Sequence, residues 1–182
     1  MATALTGLAL SIRVQLTALA SKTADLSNPQ DNLTVDQLLE STFGDGSGEN
    51  DQVWSDRVTL AGGADESLDL EALTNSFGDT ANFDAVKTVL IINRSVDVVA
   101  DAPPPTLKIG LGAATPFLGW FADVSDAELL LANPDVSGNG GISLHTNLGV
   151  GWPTTGANVF KILNLDAVDD AIFDIVIVGV NA

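Results

Sequence analysis

Hydrophobic and polar residues alternate along most of this chain, and the alternation reads as β-strand. Near the start, Leu8, Leu10, Ile12, Val14 and Leu16 fall on one parity, and Ala9, Ser11, Arg13, Gln15 and Thr17 on the other. That is the pattern of a half-buried first strand. Ser21–Leu33 follows, with Asn28-Pro29 and polar residues, the composition of a loop. Thr34-Val35-Asp36-Gln37 then has the spacing of a capping box, in which the Thr hydroxyl takes an orphan N–H and the Gln reaches back. It predicts a short helix over Val35–Thr42, stopped at Gly44, before a glycine- and acid-rich loop at Asp45–Asp51.

Beyond that loop, turn chemistry recurs every 8–12 residues or so, the spacing of sandwiches and barrels. Strands are expected at Val53–Leu60, Glu66–Leu70, Asn82–Asn93, Thr106–Leu111, Pro116–Phe121, Gly141–His145, Ala157–Asn164 and Ala171–Val180. In the first of these Trp54, Val58 and Leu60 share one parity while Ser55, Arg57 and Thr59 take the other. Pro103-Pro104-Pro105 is a stiff connector that does not belong inside a central strand. Asn133–Gly141 is a flexible loop, and Asp166–Asp170 an acidic turn before the last strand. Ser125-Asp126-Ala127-Glu128 is a second capping box, followed by Leu129-Leu130-Leu131, and read alone it favours a short helix.

Two strands are apolar on both faces. Val86, Leu90 and Ile92 oppose Val89 and Ile91; Phe173, Ile175 and Ile177 oppose Ile172, Val176 and Val178. The outer face of a two-layer sandwich ordinarily meets water, so a second apolar face implies a cover: the N-terminal strand, a crossing loop or another subunit. The fold expected is all-β, a β-sandwich of jelly-roll type. Residues 1–52 form an arm or part of the same domain, and residues 53–182 the sandwich itself.

Composition narrows the classes of function. Hydrophobic residues make up 46% of the 182, enough for a full core, and there is no cysteine for disulfides or thiolate metal sites. The net charge of −17 repels phosphate backbones, and Arg13, Lys22, Arg57, Lys87, Arg94, Lys108 and Lys161 form no run, so no nucleic-acid partner is expected. The first twenty residues end near a small-residue site at Ala18-Leu19-Ala20. They lack a positive n-region and they alternate, so they read as strand, not secretory signal. The C-terminal apolar stretch is cut by Asp174, and no membrane partner is expected.

Candidate chemistry is sparse, and no catalytic, cofactor-binding or metal residue is expected. His145, the single histidine, takes the opposite parity from Ile142 and Leu144 and is expected to face solvent or a subunit seam. Ser143 shares its strand face, but no nucleophile-elbow context surrounds it. Asp45-Gly46-Ser47-Gly48-Glu49-Asn50-Asp51 places oxygen side chains at alternate positions, yet Asn50 stands where a calcium loop has glycine and Asp56 where it has a bidentate Glu. A solvated acidic turn is the reading preferred. Asp65/Glu66 and Asp169/Asp170 are neighbours whose side chains point apart, and Gly138-Asn139-Gly140-Gly141 lacks the Lys-Ser/Thr of a phosphate loop. Phe117, Trp120 and Phe121 could line a sugar groove, but they alternate as core residues do.

The order of elements in Asp45–Leu70 carries a resemblance. An acidic loop, W-S-D-R-x-T-L-A from Trp54, the Gly62-Gly63 turn, E-S-L-D-L from Glu66 and the L-T-x-x-F-G turn at Leu73–Gly78 resemble small β-rich virion proteins of tailed bacteriophages. The likeness runs from about Leu8 to the C-terminus, and it implies a strand at Ala127–Leu131. It further implies a structural role: a capsid decoration, or cement, protein made in the host bacterial cytoplasm and bound to the outer surface of the virion. Its partners would be the major capsid protein and copies of itself, with a trimer natural on a shell axis. Two alternatives stand beside it, a tail or receptor-binding component and a carbohydrate-binding module.

Overall fold

The computed structural model describes residues 10–21, 30–44, 49–74, 78–95, 104–110, 115–117, 119–120, 128–132, 140–146 and 151–181. The chain opens with two long strands, β1 (Leu10–Ser21) and β2 (Gln30–Phe43). They pair antiparallel from Leu10 opposite Ser41 to Ser21 opposite Gln30. From Leu10 onward, the alternation thus belongs to a strand that continues to Ser21, while Leu8 and Ala9 lie outside the described residues. The helix expected over Val35–Thr42 is corrected: that segment lies inside β2. A cap contributes about 1 kcal/mol, and here it loses to a continuous backbone ladder with β1 that a local signal cannot foresee.

This ribbon is tied at its base. β3 (Glu49–Asn50) runs parallel beside Thr42 and Phe43, and the Gly44 amide donates to the Asn50 carbonyl at 3.1 Å. The buried Asn50 side chain also donates to Ser41 Oγ. Lys87, itself buried, donates from Nζ to the Glu49 carbonyl at 2.7 Å. The Asp51 amide donates to the Gly179 carbonyl at 3.1 Å, and Asp51 Oδ1 accepts from the Asn181 amide at 2.9 Å.

The remaining strands follow in chain order. β4 (Gln52–Leu60) and β5 (Asp65–Asp69) lead into a small hairpin of β6 (Leu73–Thr74) and β7 (Thr80–Ala81). Then come β8 (Ala85–Asn93), β9 (Leu107–Gly110), β10 (Glu128–Leu131) and β11 (Gly140–His145). β12 (Trp152–Pro153), β13 (Val159–Asn164) and β14 (Ala171–Val180) complete the chain. One sheet has the order β11-β8-β14-β4, with β12 also on β8; the other has β10-β9-β13-β5. The fold is all-β, with no helix among the described residues. The two sheets share one core, the arrangement of a β-sandwich.

Side-chain alternation explains that core. Val89, Ile91, Phe173, Ile175 and Ile177 from the first sheet meet Leu68, Leu107, Ile109, Phe160 and Ile162 from the second. Trp54 and Leu60 are buried with them, while Ser55, Arg57 and Thr59 on the other parity of β4 are exposed. Two buried asparagines close the sandwich ends. Asn93 Nδ2 donates to the carbonyls of Pro105 and Leu131 at 2.8 and 3.1 Å. Asn164 Nδ2 donates to those of Leu60, Ala61 and Asp169 at 3.2, 3.2 and 2.8 Å.

Two further expectations change. Pro116–Phe121 is not a strand among its described residues: Pro116 makes a single bridge to Val159, and Gly119-Trp120 is a turn. Phe117 is buried nonetheless, and Phe121 lies outside the described residues. The second correction is Val86, expected on the face of Leu90 and Ile92. The register between β8 and β14 shifts between Val178 and Gly179, so that Thr88 opposes Val178 but Val86 opposes Gly179. Lys87 is the extra residue of a β-bulge, and the bulge turns Val86 into the core. Leu129–Leu131, by contrast, lies in strand β10 as the resemblance implied.

Candidate functional site

The outer faces of the two sheets differ. On the β10-β9-β13-β5 sheet, charged pairs cross between strands. Lys161 meets Asp65 at 3.2 Å, Lys108 pairs with Glu128, and Lys108 stands in register between Leu163 and Leu130. Such a face is interrupted every few ångströms by charge. The β11-β8-β14-β4 sheet instead carries a contiguous apolar stripe. Leu90 lies directly opposite Val176, with Ile92 diagonal to Val176 and Ile172 diagonal to Ile92 beyond Asp174, and all four are half-buried. These are the second faces of the doubly apolar strands. The core side of the same strands is sealed; on this side Thr88 and Val178 are buried, and the four stripe residues are partly so.

Asp174 sits in the middle of the stripe, opposite Ile92 and Arg57. A carboxylate there would be costly without compensation. Arg57 supplies it with a two-bond fork, Nε to Oδ1 at 2.5 Å and Nη2 to Oδ2 at 3.0 Å, and Arg94 Nε donates to Oδ2 from the end of β8. The bond to Arg57, helped by Arg94, holds the Asp174 carboxyl down at about 2, against an ordinary 3.8. The same pairing raises the Arg57 guanidinium. A groove of about 500 Å³ runs along this face between β4 and β14, lined by Ser55, Asp56, Arg57, Asp174, Ile175 and Val176. With Asp56, the two arginines and Asp174 leave the patch without net charge on a chain of −17. Sequence reasoning missed this cluster. Its one signal was Asp174 itself, noted only as an interruption of an apolar run.

His145 lies at the far edge of the same face, in register with Thr88, and its Nδ1 is 2.7 Å from Thr88 Oγ1. Partial burial lowers its pKa, so the ring is neutral at pH 7. Its expected place on the outer parity holds. Ser143 shares the face but is two residues away along the strand and exposed, and the described bond of the imidazole goes to the Thr88 hydroxyl. This arrangement offers polar contact, not an activated nucleophile.

The other candidates fall into structural roles where they are described. Asp45-Gly46-Ser47-Gly48 lies outside the described residues, while Glu49, Asn50 and Asp51 are engaged in the ribbon's base. Among the described residues no three His, Asp or Glu gather as a metal site. Trp120 packs edge-on against Phe117, Phe160 and Trp152 at 5.1, 5.3 and 5.9 Å between ring centres. Rings crossed at 82–87° pack a core and do not form the flat platform on which a sugar stacks. Among the described residues no helix is long and apolar enough to cross a membrane. No protein-family model matches the chain, no curated protein is significantly similar to it, and no solved structure significantly matches its fold.

Proposed function

We propose that this is a virion structural protein that binds the outer surface of an assembled capsid and stabilises it, as decoration proteins of tailed bacteriophages do. The observation that carries this reading is the contiguous apolar stripe around Leu90 and Val176 on an outer sheet face, with the ion-paired Asp174 at its centre. A surface that is apolar, broad and shallow suits attachment to another protein surface. The motif resemblance supplies the class of that surface. In it, Trp54 anchors the β6–β7 hairpin through Nε1 to the Thr74 carbonyl at 3.0 Å, and Arg57 holds Asp174.

The fold suits the same reading. Numbered within the sandwich alone, the strands β4, β5, β8, β9, β10, β11, β13 and β14 run 1-8-3-6 in one sheet and 2-7-4-5 in the other. That order supports a jelly roll, a fold used by viral capsid proteins and by lectins alike. Its partners would be the major capsid protein and further copies of the chain, a trimer on a shell axis. It would work without catalysis or cofactor, by burying surface across neighbouring capsid subunits. A particle reconstruction tests the proposal by location. The protein should appear in many copies at equivalent positions on the capsid exterior; density confined to the tail would replace this reading with receptor binding.

A further inference from the structure

β4 is the longest of the four edge strands of the sandwich, and among the described strands it pairs with β14 alone. Two bonds fix the phase of that ladder. The Asp51 amide donates to the Gly179 carbonyl at 3.1 Å, and the Arg94 amide to that of Ile172 at 2.8 Å. Backbone groups alternate sides along a strand, so Phe173, Ile175, Ile177 and Gly179 address β4, and Ile172, Asp174 and Val176 address β8. On β4 their partners Val58, Asp56, Trp54 and Gln52 close the ladder. Val53, Ser55, Arg57 and Thr59 therefore turn their amides and carbonyls to the free side, as a row of unpaired groups roughly 7 Å apart. Within that row the Arg57 amide is met by Asp56 Oδ1 at 2.8 Å, a bond made by the strand's own side chain. Ser55, Asp56 and Arg57 are exposed in succession, on both parities, as befits a strand with an open edge.

A hollow of about 500 Å³ lies on each side of this segment. The outer one is the groove between β4 and β14. The inner one opens between β4 and β5, where Trp54, Leu68 and Leu73 line it together with Asp56, Glu66 and Asp69. Among the described residues no lysine, arginine or histidine lines it. We propose that β4 accepts a basic extended segment of another protein as an added strand. The segment's main chain pairs with Val53, Ser55, Arg57 and Thr59, and its alternate side chains enter the two hollows. The residue opposite Asp56 points into the inner hollow, where the stem of a lysine or arginine meets apolar wall and its charge meets Asp56 and Glu66. The incoming carbonyl takes over the Arg57 amide and releases Asp56 for that cation. A second copy of this chain is the wrong occupant. Two β4 edges side by side would bring these carboxylates together, the usual guard of an edge against its own kind. Nor do any two of Arg13, Lys22, Arg57, Lys87, Arg94, Lys108 and Lys161 stand two positions apart, as a strand with one basic face requires.

A capped octapeptide alternating threonine with lysine, added to the full chain, tests it by calorimetry and amide hydrogen exchange. The peptide should bind and slow exchange at Val53, Ser55, Arg57 and Thr59. Asp56→Asn with Glu66→Gln removes the two charges and keeps the shapes, and should weaken binding by roughly tenfold or more. Glu128→Gln, the same charge change on the far edge of the other sheet, should leave binding unchanged. Methylating the threonine amides, which face β4 when the lysines point inward, should abolish it. Absence of binding at about 1 mM peptide overturns the proposal. So does equal binding of a peptide with glutamate in place of lysine, binding that survives methylation, or protection confined to other strands. A particle reconstruction decides the virion reading, and peptide binding to the isolated chain decides this one, so either can fail without the other.

Discussion

A carboxylate in the middle of an apolar strand needs compensation, and Asp174 obtains it from Arg57 and Arg94. Its carboxyl titrates at about 2 in the folded chain and near 3.8 in the absence of those partners. The unfolded chain therefore takes up the proton first as pH falls. The stabilisation is complete above about pH 4 and drains away between 4 and 2. Asp174→Asn should accordingly be less stable than the parent at pH 7, and the difference should shrink towards pH 2 in denaturant titrations across that range. Arg57 is 64% exposed, so salt should also narrow the gap. A gap that stays constant with pH would assign the effect to packing. None of these three partners stood out in the sequence, because they come from β4, the end of β8 and β14, and only pairing brings them together.

At the scale of elements, the β-bulge at Lys87 decides how the ribbon meets the sandwich. It turns Val86 inward, frees Lys87 to reach Glu49, and brings Gly179 against the neighbouring backbone. A methyl group at Gly179 would run into the Ala85 carbonyl oxygen and the Phe83 ring. Gly179→Ala should cost about 1–3 kcal/mol in equilibrium unfolding, since neither backbone nor a buried ring can yield cheaply. Gly63 is the useful contrast: at φ 69° with open space around its Cα, its alanine variant should lose only the left-handed strain of about 1 kcal/mol. Equal losses would argue against close contact at the bulge. The sandwich strands themselves were legible, because one buried face imposes a period of two on β4, β8, β13 and β14. What misled was local: the capping box inside β2, and the apolar run at Pro116–Phe121, whose Phe117 is buried without a strand to carry it. Register shifts leave no mark in composition, so the turn of Val86 into the core was not legible either.

For the whole molecule, the charge of −17 and the apolar stripe act in opposition. Acidity opposes close approach of copies, and the stripe offers an apolar surface that favours it. The candidate face was half legible: doubly apolar strands announced that a second face needed covering, but not that its centre would be an ion pair. The central claim is that binding stabilises a shell, and its magnitude can be stated. On the proposed reading each bound copy would add RT ln(1 + [L]/Kd), roughly 3 kcal/mol at a hundredfold excess over Kd, with many copies on one particle. The most direct measurement is the temperature at which genome-filled particles rupture, with and without this protein and after adding it back. Particles lacking it should keep their shape and genome yet break at lower temperature, and the purified protein should restore the difference. Particles that rupture at the same temperature but no longer adsorb to host cells would contradict the account and place the protein among receptor-binding components.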